Sequence, residues 1–138
     1  MSQLITYLTF GGNCREAMSF YQHCLGGELQ VFTLGDSPFG SRLPNTFVHF
    51  VLYASLKKDD LILLGTDMVN DDGLIIGNAV SIFIVCNSES EIRSYYKKFM
   101  QGGKVLCPLA RGTNGSLFGN VVDRYGIQWL FQYSERQI

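Results

Sequence analysis

The sequence predicts an α+β protein built from two tandem βαβββ modules. Two observations carry that prediction. The stretch from Tyr7 to Tyr21, running into Gly26-Gly27 and on to Val31, is similar to the stretch from Ser81 to Tyr96, running into Gly102-Gly103 and on to Leu106. The offset is roughly 75 residues, just over half the chain, which is the mark of a duplicated module rather than a solenoid. In each copy the same signals follow in the same order: a β-rich run, a helix cap, a helical pattern, a glycine pair and three further β-rich runs.

In the first module the opening strand is centred on Tyr7-Leu-Thr-Phe10. Asn13 followed by Glu16 reads as an N-cap with an acid three residues on, the pattern that satisfies helix donors left unpaired. Ala17, Tyr21, Cys24 and Leu25 recur at helical spacing, and Arg15, Glu16, Ser19 and Gln22 are left for water. Gly26-Gly27 ends the helix. Strands follow over Glu28 to Leu34, Phe47 to Ala54 and Leu61 to Thr66, with a long Pro/Gly-containing loop between the first two.

The second module repeats this plan. A strand begins at Ser81, and Ser88 with Glu91 forms the cap. Ile92, Tyr95, Tyr96, Phe99 and Met100 form the apolar stripe, and Gly102-Gly103 ends the helix. Strands are expected over Lys104 to Ala110, Ser116 to Val122 and Ile127 to Tyr133. Asn114-Gly115 suits a tight primed hairpin turn. Asp123 to Gly126 makes another turn, with Gly126 free to take positive φ. Residues 67–78 read as the connection between modules, which places the first module at 1–67 and the second at 79–138 of a single domain.

Composition bounds the function. At 138 residues with 46% hydrophobic content and a net charge of −1, the chain is expected to fold as one soluble domain with a sizeable core, not as a disordered segment. The balanced charge offers no footprint for DNA or RNA. No apolar run approaches the roughly 20 residues that span a bilayer, and no secretory pattern opens the chain, so a cytoplasmic protein is expected. Four cysteines, scattered without a C-x-x-C pair, read as reduced thiols.

The segment Tyr7-Leu-Thr-Phe-Gly-Gly-Asn13, followed by Ala17, Phe20-Tyr21 and Leu25-Gly26-Gly27-Glu28, resembles the opening of PhnB-like proteins. His49 and the closing Gly119-Asn-Val-Val-Asp123-Arg-Tyr-Gly126-Ile-Gln-Trp129 fit the same branch of the vicinal oxygen chelate superfamily, which includes glyoxalase I, bleomycin resistance proteins and extradiol dioxygenases. The resemblance implies curled mixed sheets whose concave faces form a pocket, usually in a homodimer. In metal-dependent members the ligands come from the first and last strands of each module. Carried onto this chain, those positions fall near Thr6, around Leu64 to Gly65, at Ser81 and at Leu130. None is His, Asp or Glu, and a catalytic divalent ion needs about three such ligands. No metal or other cofactor is therefore expected, unless the strand register is displaced by one residue.

The expected ligand-binding residues are Thr6, Leu8, His49, Ser81, Phe83, Trp129 and Leu130. His49 and Asp67 are the candidate catalytic residues. His49 lies in an apolar run expected to be the third strand, where it serves either as a pocket acid or base or as a hydrogen-bonded structural histidine. Asp67 either orients a ligand or His49, or caps a loop through backbone N–H groups. Asp123 carries the same alternatives, with its turn favouring structure. His23 is a surface residue. Arg111 and Arg124 either meet an anionic ligand or are solvated.

Gly11-Gly12-Asn13 resembles half a phosphate-binding turn, yet no G-x-G-x-x-G and no P-loop follows. Nucleotide and S-adenosylmethionine readings therefore lack their usual backbone cradle, and methyl transfer, a description attached to some PhnB-like sequences, has no motif behind it. Three functions stay open: metal-free small-molecule binding; a metal-dependent lyase, isomerase or dioxygenase; and an assembly protein whose own aromatics fill the cavity.

Overall fold

The structure is a computed structural model that describes residues 1–45 and 47–135. It divides into two compact units, residues 1–75 and 76–138. Unit one contains β1 (Thr6–Thr9), α1 (Cys14–Leu25), β2 (Glu28–Thr33), two single-turn 3₁₀ segments, β3 (Val51–Lys58) and β4 (Leu61–Thr66). Unit two contains β5 (Ser81–Val85), α2 (Glu89–Phe99), β6 (Lys104–Arg111), β7 (Leu117–Val122) and β8 (Gln128–Tyr133). Both have the βαβββ order read from the sequence.

Each unit is a mixed four-stranded sheet with one helix on one face. The strand orders, β1-β4-β3-β2 and β5-β8-β7-β6, are the same plan twice. The first strand of each runs parallel to the last, and the other neighbours are antiparallel.

The helix stripes form the cores. In unit one Ala17, Met18, Tyr21, Cys24 and Leu25 are buried. Gly65 of β4 permits close approach, because a Cβ there would meet Cys14 Sγ and Met18 Sδ at 3.0 Å. In unit two the ring of Phe99 lies 4.4 Å from Trp129 and 5.3 Å from Phe131, centroid to centroid. Gly119 of β7 plays the part of Gly65, since a Cβ there would stand 2.9 Å from the Tyr96 ring. Met100, expected on the apolar stripe, is the C-cap of α2 and is 40% exposed.

Two turn expectations are revised. Asn114 keeps negative φ and only Gly115 adopts positive φ, so the β6–β7 connection is not a two-residue primed turn. It closes instead from Gly112 N–H to Ser116 O at 2.8 Å, while Asn114 Oδ1 accepts from Ser116 N–H. The third strand starts four residues later than expected. Residues 47–50 turn back on themselves, with Phe50 N–H donating to Phe47 O, and the ladder begins only at Val51.

Candidate functional site

Helix α1 begins in an unusual way, and the site grows from it. Asn13 occupies the N-cap position, but its side chain makes no capping bond. Its backbone, at φ −111° and ψ 25°, is not the extended conformation from which a cap side chain reaches N2 or N3. Asp67, just past β4, takes over. Its Oδ1 accepts from Gly12 N–H at 3.0 Å and Cys14 N–H at 2.9 Å, and its Oδ2 accepts from Val51 N–H at 3.0 Å. A buried carboxylate thus meets the positive end of α1 and starts β3. The second helix follows the expected pattern: Ser88 Oγ accepts from Glu91 N–H, and Glu91 Oε1 accepts from Asn87 N–H.

Cys14 lies beside that carboxylate. Burial, reinforced by the negative charge of Asp67, pushes its thiol up to about 12. It is a neutral packing group at physiological pH.

Around this cap opens a cleft of about 420 Å³ lined by Gly12, Asn13, Arg15, Glu16, His49 and Asp67. Both candidate catalytic residues, His49 and Asp67, are therefore in one place, although the intervening chain, residues 50–66, forms β3 and β4 and their flanks. His49 is not the half-buried strand residue expected; it is exposed, in the turn before β3. Arg15 and Glu16, assigned to water on helical periodicity, join the cleft because the first turn of α1 stands at its wall.

The remaining expected ligand positions separate by sheet face. In β1, Leu8 pairs with Gly65, whose missing side chain faces α1, so Leu8 and Thr6 lie on the helix-covered face. Tyr7, 54% exposed, is the β1 residue with Leu64 on the face away from the helix. Phe32 and Tyr53, a cross-strand pair, share that face and are 44% and 43% exposed. In unit two, Ser81, Phe83 and Leu130 do lie on the helix-free face, opposite Ile84 and Phe131. Trp129 does not. It is fully buried under α2, where its Nε1–H donates to Asp123 Oδ2 at 2.8 Å. Asp123 also accepts from Tyr125 N–H and Ile127 N–H, so it is a turn-building residue.

Arg111 and Arg124 are likewise engaged locally. Arg111 joins the Glu89 carboxylate at the start of α2 and Gly115 O, and Arg124 donates twice to Gln101 O. Among the described residues no three His, Cys, Asp or Glu side chains come together as a metal site. The ligand positions implied by metal-dependent relatives hold Thr6, Leu64, Gly65, Ser81 and Leu130. A slip of one residue brings in Ile5, Tyr7, Leu63, Thr66, Val80, Ile82, Trp129 and Phe131. Neither set contains an imidazole or a carboxylate, so these donors do not fit a divalent catalytic ion.

With this geometry in hand, residues 2–132 match the family model described as 3-demethylubiquinone-9 3-methyltransferase. The chain belongs to that family. It is 25% identical over 150 aligned positions to protein YjdN of Escherichia coli, covering 97% of each. It is 30% identical to the solved structure of protein PA1353 from Pseudomonas aeruginosa, with a TM-score of 0.80 and coverage of 97% of this chain and 98% of that one. A solved PhnB protein of Bacillus cereus is 25% identical at a TM-score of 0.73, covering 96% and 100%. A glyoxalase/bleomycin resistance protein/dioxygenase from Alicyclobacillus acidocaldarius, 16% identical with a TM-score of 0.57 over 97% and 93% of the two chains, shows the fold. The expected fold, two βαβββ modules with curled mixed sheets, is that of this family. Among the described residues no helix is long and apolar enough to cross a membrane.

Proposed function

We propose that this PhnB-like chain binds a small aromatic molecule on the helix-free face of one of its sheets, without a divalent metal ion, as a cytoplasmic homodimer. One observation carries the reading. Tyr7, Phe32 and Tyr53 in unit one, and Phe83 and Phe118 in unit two, are between 38% and 54% exposed on faces that no helix covers. Clustered exposed aromatics mark a binding surface more often than a neutral exterior. Ser81 and Leu130 lie on the same face of unit two as Phe83, and His49 lines the cleft with Asp67 in unit one.

The metal-free part rests on the donor chemistry of the strand ends described above. The homodimer rests on the family resemblance, and the cytoplasmic address on the reduced, mostly buried cysteines. Methyl transfer to a demethylated quinone, the reaction in the family description, needs a methyl donor, and the chain has no glycine-rich loop to cradle a nucleotide-like one.

The test is thermal melting with a panel of small aromatic compounds: a short-chain 3-demethylubiquinol analogue, indole and oxindole, each with and without S-adenosylmethionine. Binding raises the melting temperature by mass action. The expected result is stabilisation by at least one compound, lost in Phe83→Ala or Tyr53→Ala and unaffected by S-adenosylmethionine. No stabilisation by any compound overturns the binding reading, and formation of the O-methylated quinol replaces it with methyl transfer. Sedimentation at micromolar concentration tests the dimer.

A further inference from the structure

Two buried polar atoms of β7 and β8, Oδ1 of Asn120 and Nε2 of Gln128, have no hydrogen-bond partner among the described residues. Such atoms are rare, because an unpaired buried donor or acceptor forfeits its bonds to water without replacement. Strand register brings these two together. Asn120 pairs with Leu130 and Val122 with Gln128, so the amides are diagonal neighbours, a separation of roughly 7–8 Å in such a ladder and somewhat less between Cβ atoms. Both lie on the helix-free face, since the alternating residues Val121, Trp129 and Phe131 are the ones buried beneath α2.

The two atoms are chemically complementary. One is an acceptor without a donor, the other a donor without an acceptor, and both belong to neutral amides. The other β7 and β8 residues of this face, Phe118, Val122, Leu130 and Gln132, carry no charge. Phe83, paired with Leu130, and Ser81, paired with Gln128, extend it onto β5.

Resting on the binding reading above, we infer that Asn120 and Gln128 recognise the polar edge of the ligand, an uncharged planar molecule with a donor and an acceptor side by side, as in a cyclic amide. Its N–H donates to Asn120 Oδ1, and its carbonyl accepts from Gln128 Nε2–H. A carboxylate would set a second acceptor against Asn120 Oδ1, and an ammonium a second donor against Gln128 Nε2. Each atom is covered by its neighbours in the free protein, and the soft terminal torsions of the two amides let them turn toward the entering edge.

The experiment titrates the full chain with oxindole, a planar lactam, and with N-methyloxindole, which keeps the shape and loses the donor. Calorimetry reads affinity, and the side-chain NH₂ signals of Gln128 in nitrogen-15 NMR report the contact. Oxindole is expected to bind, shift those signals, and exceed N-methyloxindole by about tenfold or more. The double variant Asn120→Leu/Gln128→Met should melt no lower than wild type, because it removes two unpaired groups, and should lose the preference. Equal binding of the two probes, failure of oxindole while another panel compound binds, or a preference retained in the double variant overturns the inference and leaves the binding reading standing. A double variant that melts well below wild type shows the amides to be paired within the fold and also overturns it. If no aromatic compound binds at all, both fall together.

Discussion

The Asp67 carboxylate accepts the backbone N–H of Cys14 at 2.9 Å, across 53 residues of chain. The same side chain holds Gly12 N–H and Val51 N–H, so a single residue caps α1, starts β3 and closes β4. The shape of the cleft beside His49 therefore depends on a residue whose bonds are all to backbone.

Asp67→Ala leaves three donors unpaired in a largely buried setting. At roughly 1–3 kcal/mol for each, the loss should be about 3 kcal/mol or more. Urea unfolding followed by circular dichroism checks it. Asp67→Asn retains one acceptor oxygen and should fall between Ala and wild type; an Ala variant as stable as wild type would show that the cap contributes nothing.

His49 is exposed in a turn, and its replacement should leave folding alone. His49→Ala is expected to change stability by no more than about 0.5 kcal/mol. Addition of Ni²⁺, Fe²⁺, Zn²⁺ or Mn²⁺ should leave the melting temperature of the wild type unmoved. A rise with near-stoichiometric metal on elemental analysis would establish a metal site that the donor chemistry at the strand ends does not supply.

Trp129 is the single tryptophan and is fully buried against Phe99. Trp129→Ala should cost about 3–5 kcal/mol. A loss under about 1 kcal/mol would place it at a rim. Its emission should be that of an apolar environment and stay insensitive to aqueous quenchers until the protein unfolds.

Thiol reactivity should divide the four cysteines. The Cys14 and Cys86 thiols are pushed up to about 12, each by burial first and then by a neighbouring carboxylate. At pH 8 such a thiol is thiolate in only about one molecule in ten thousand. Cys24 is buried as well, and Cys107 is exposed. Ellman's reagent should titrate one thiol rapidly in the native protein and all four in denaturant; two or more fast thiols would contradict this packing.

Hydrogen bonds from Arg93 and Arg111 hold the Glu89 carboxyl below its usual range. A depressed carboxylate value means that this cluster supports the fold above the ordinary carboxylate range, and that its contribution fades as pH falls through the lower, folded value. An NMR titration of the Glu89 side chain should give a midpoint below that of a free glutamate, and Arg111→Ala should raise it. Both arginines are solvent-exposed partners, so the effect on overall stability should be small.

What the sequence determined by itself is what local chemistry controls. Helical spacing placed Ala17, Tyr21, Cys24 and Leu25 in the core of unit one, and the Ser88–Glu91 pair set the start of α2, because each depends on residues within one or two turns. The duplicated order of signals carried the βαβββ plan. Tertiary structure decided three other things. The four residues of β1, Thr-Tyr-Leu-Thr, offer similar side chains to either face, so only the pairing of Leu8 with Gly65 beneath α1 settled which of them the helix covers. Asn13 has the composition of a cap, yet its side chain makes no capping bond, and a carboxylate from beyond β4 takes the flanking Gly12 and Cys14 N–H groups and, being charged, meets the helix end more favourably than an amide does. The buried atoms of Asn120 and Gln128, without a partner among the described residues, have no local signature either: each is an ordinary strand amide until β7 and β8 lie side by side and leave an acceptor and a donor on the same helix-free face.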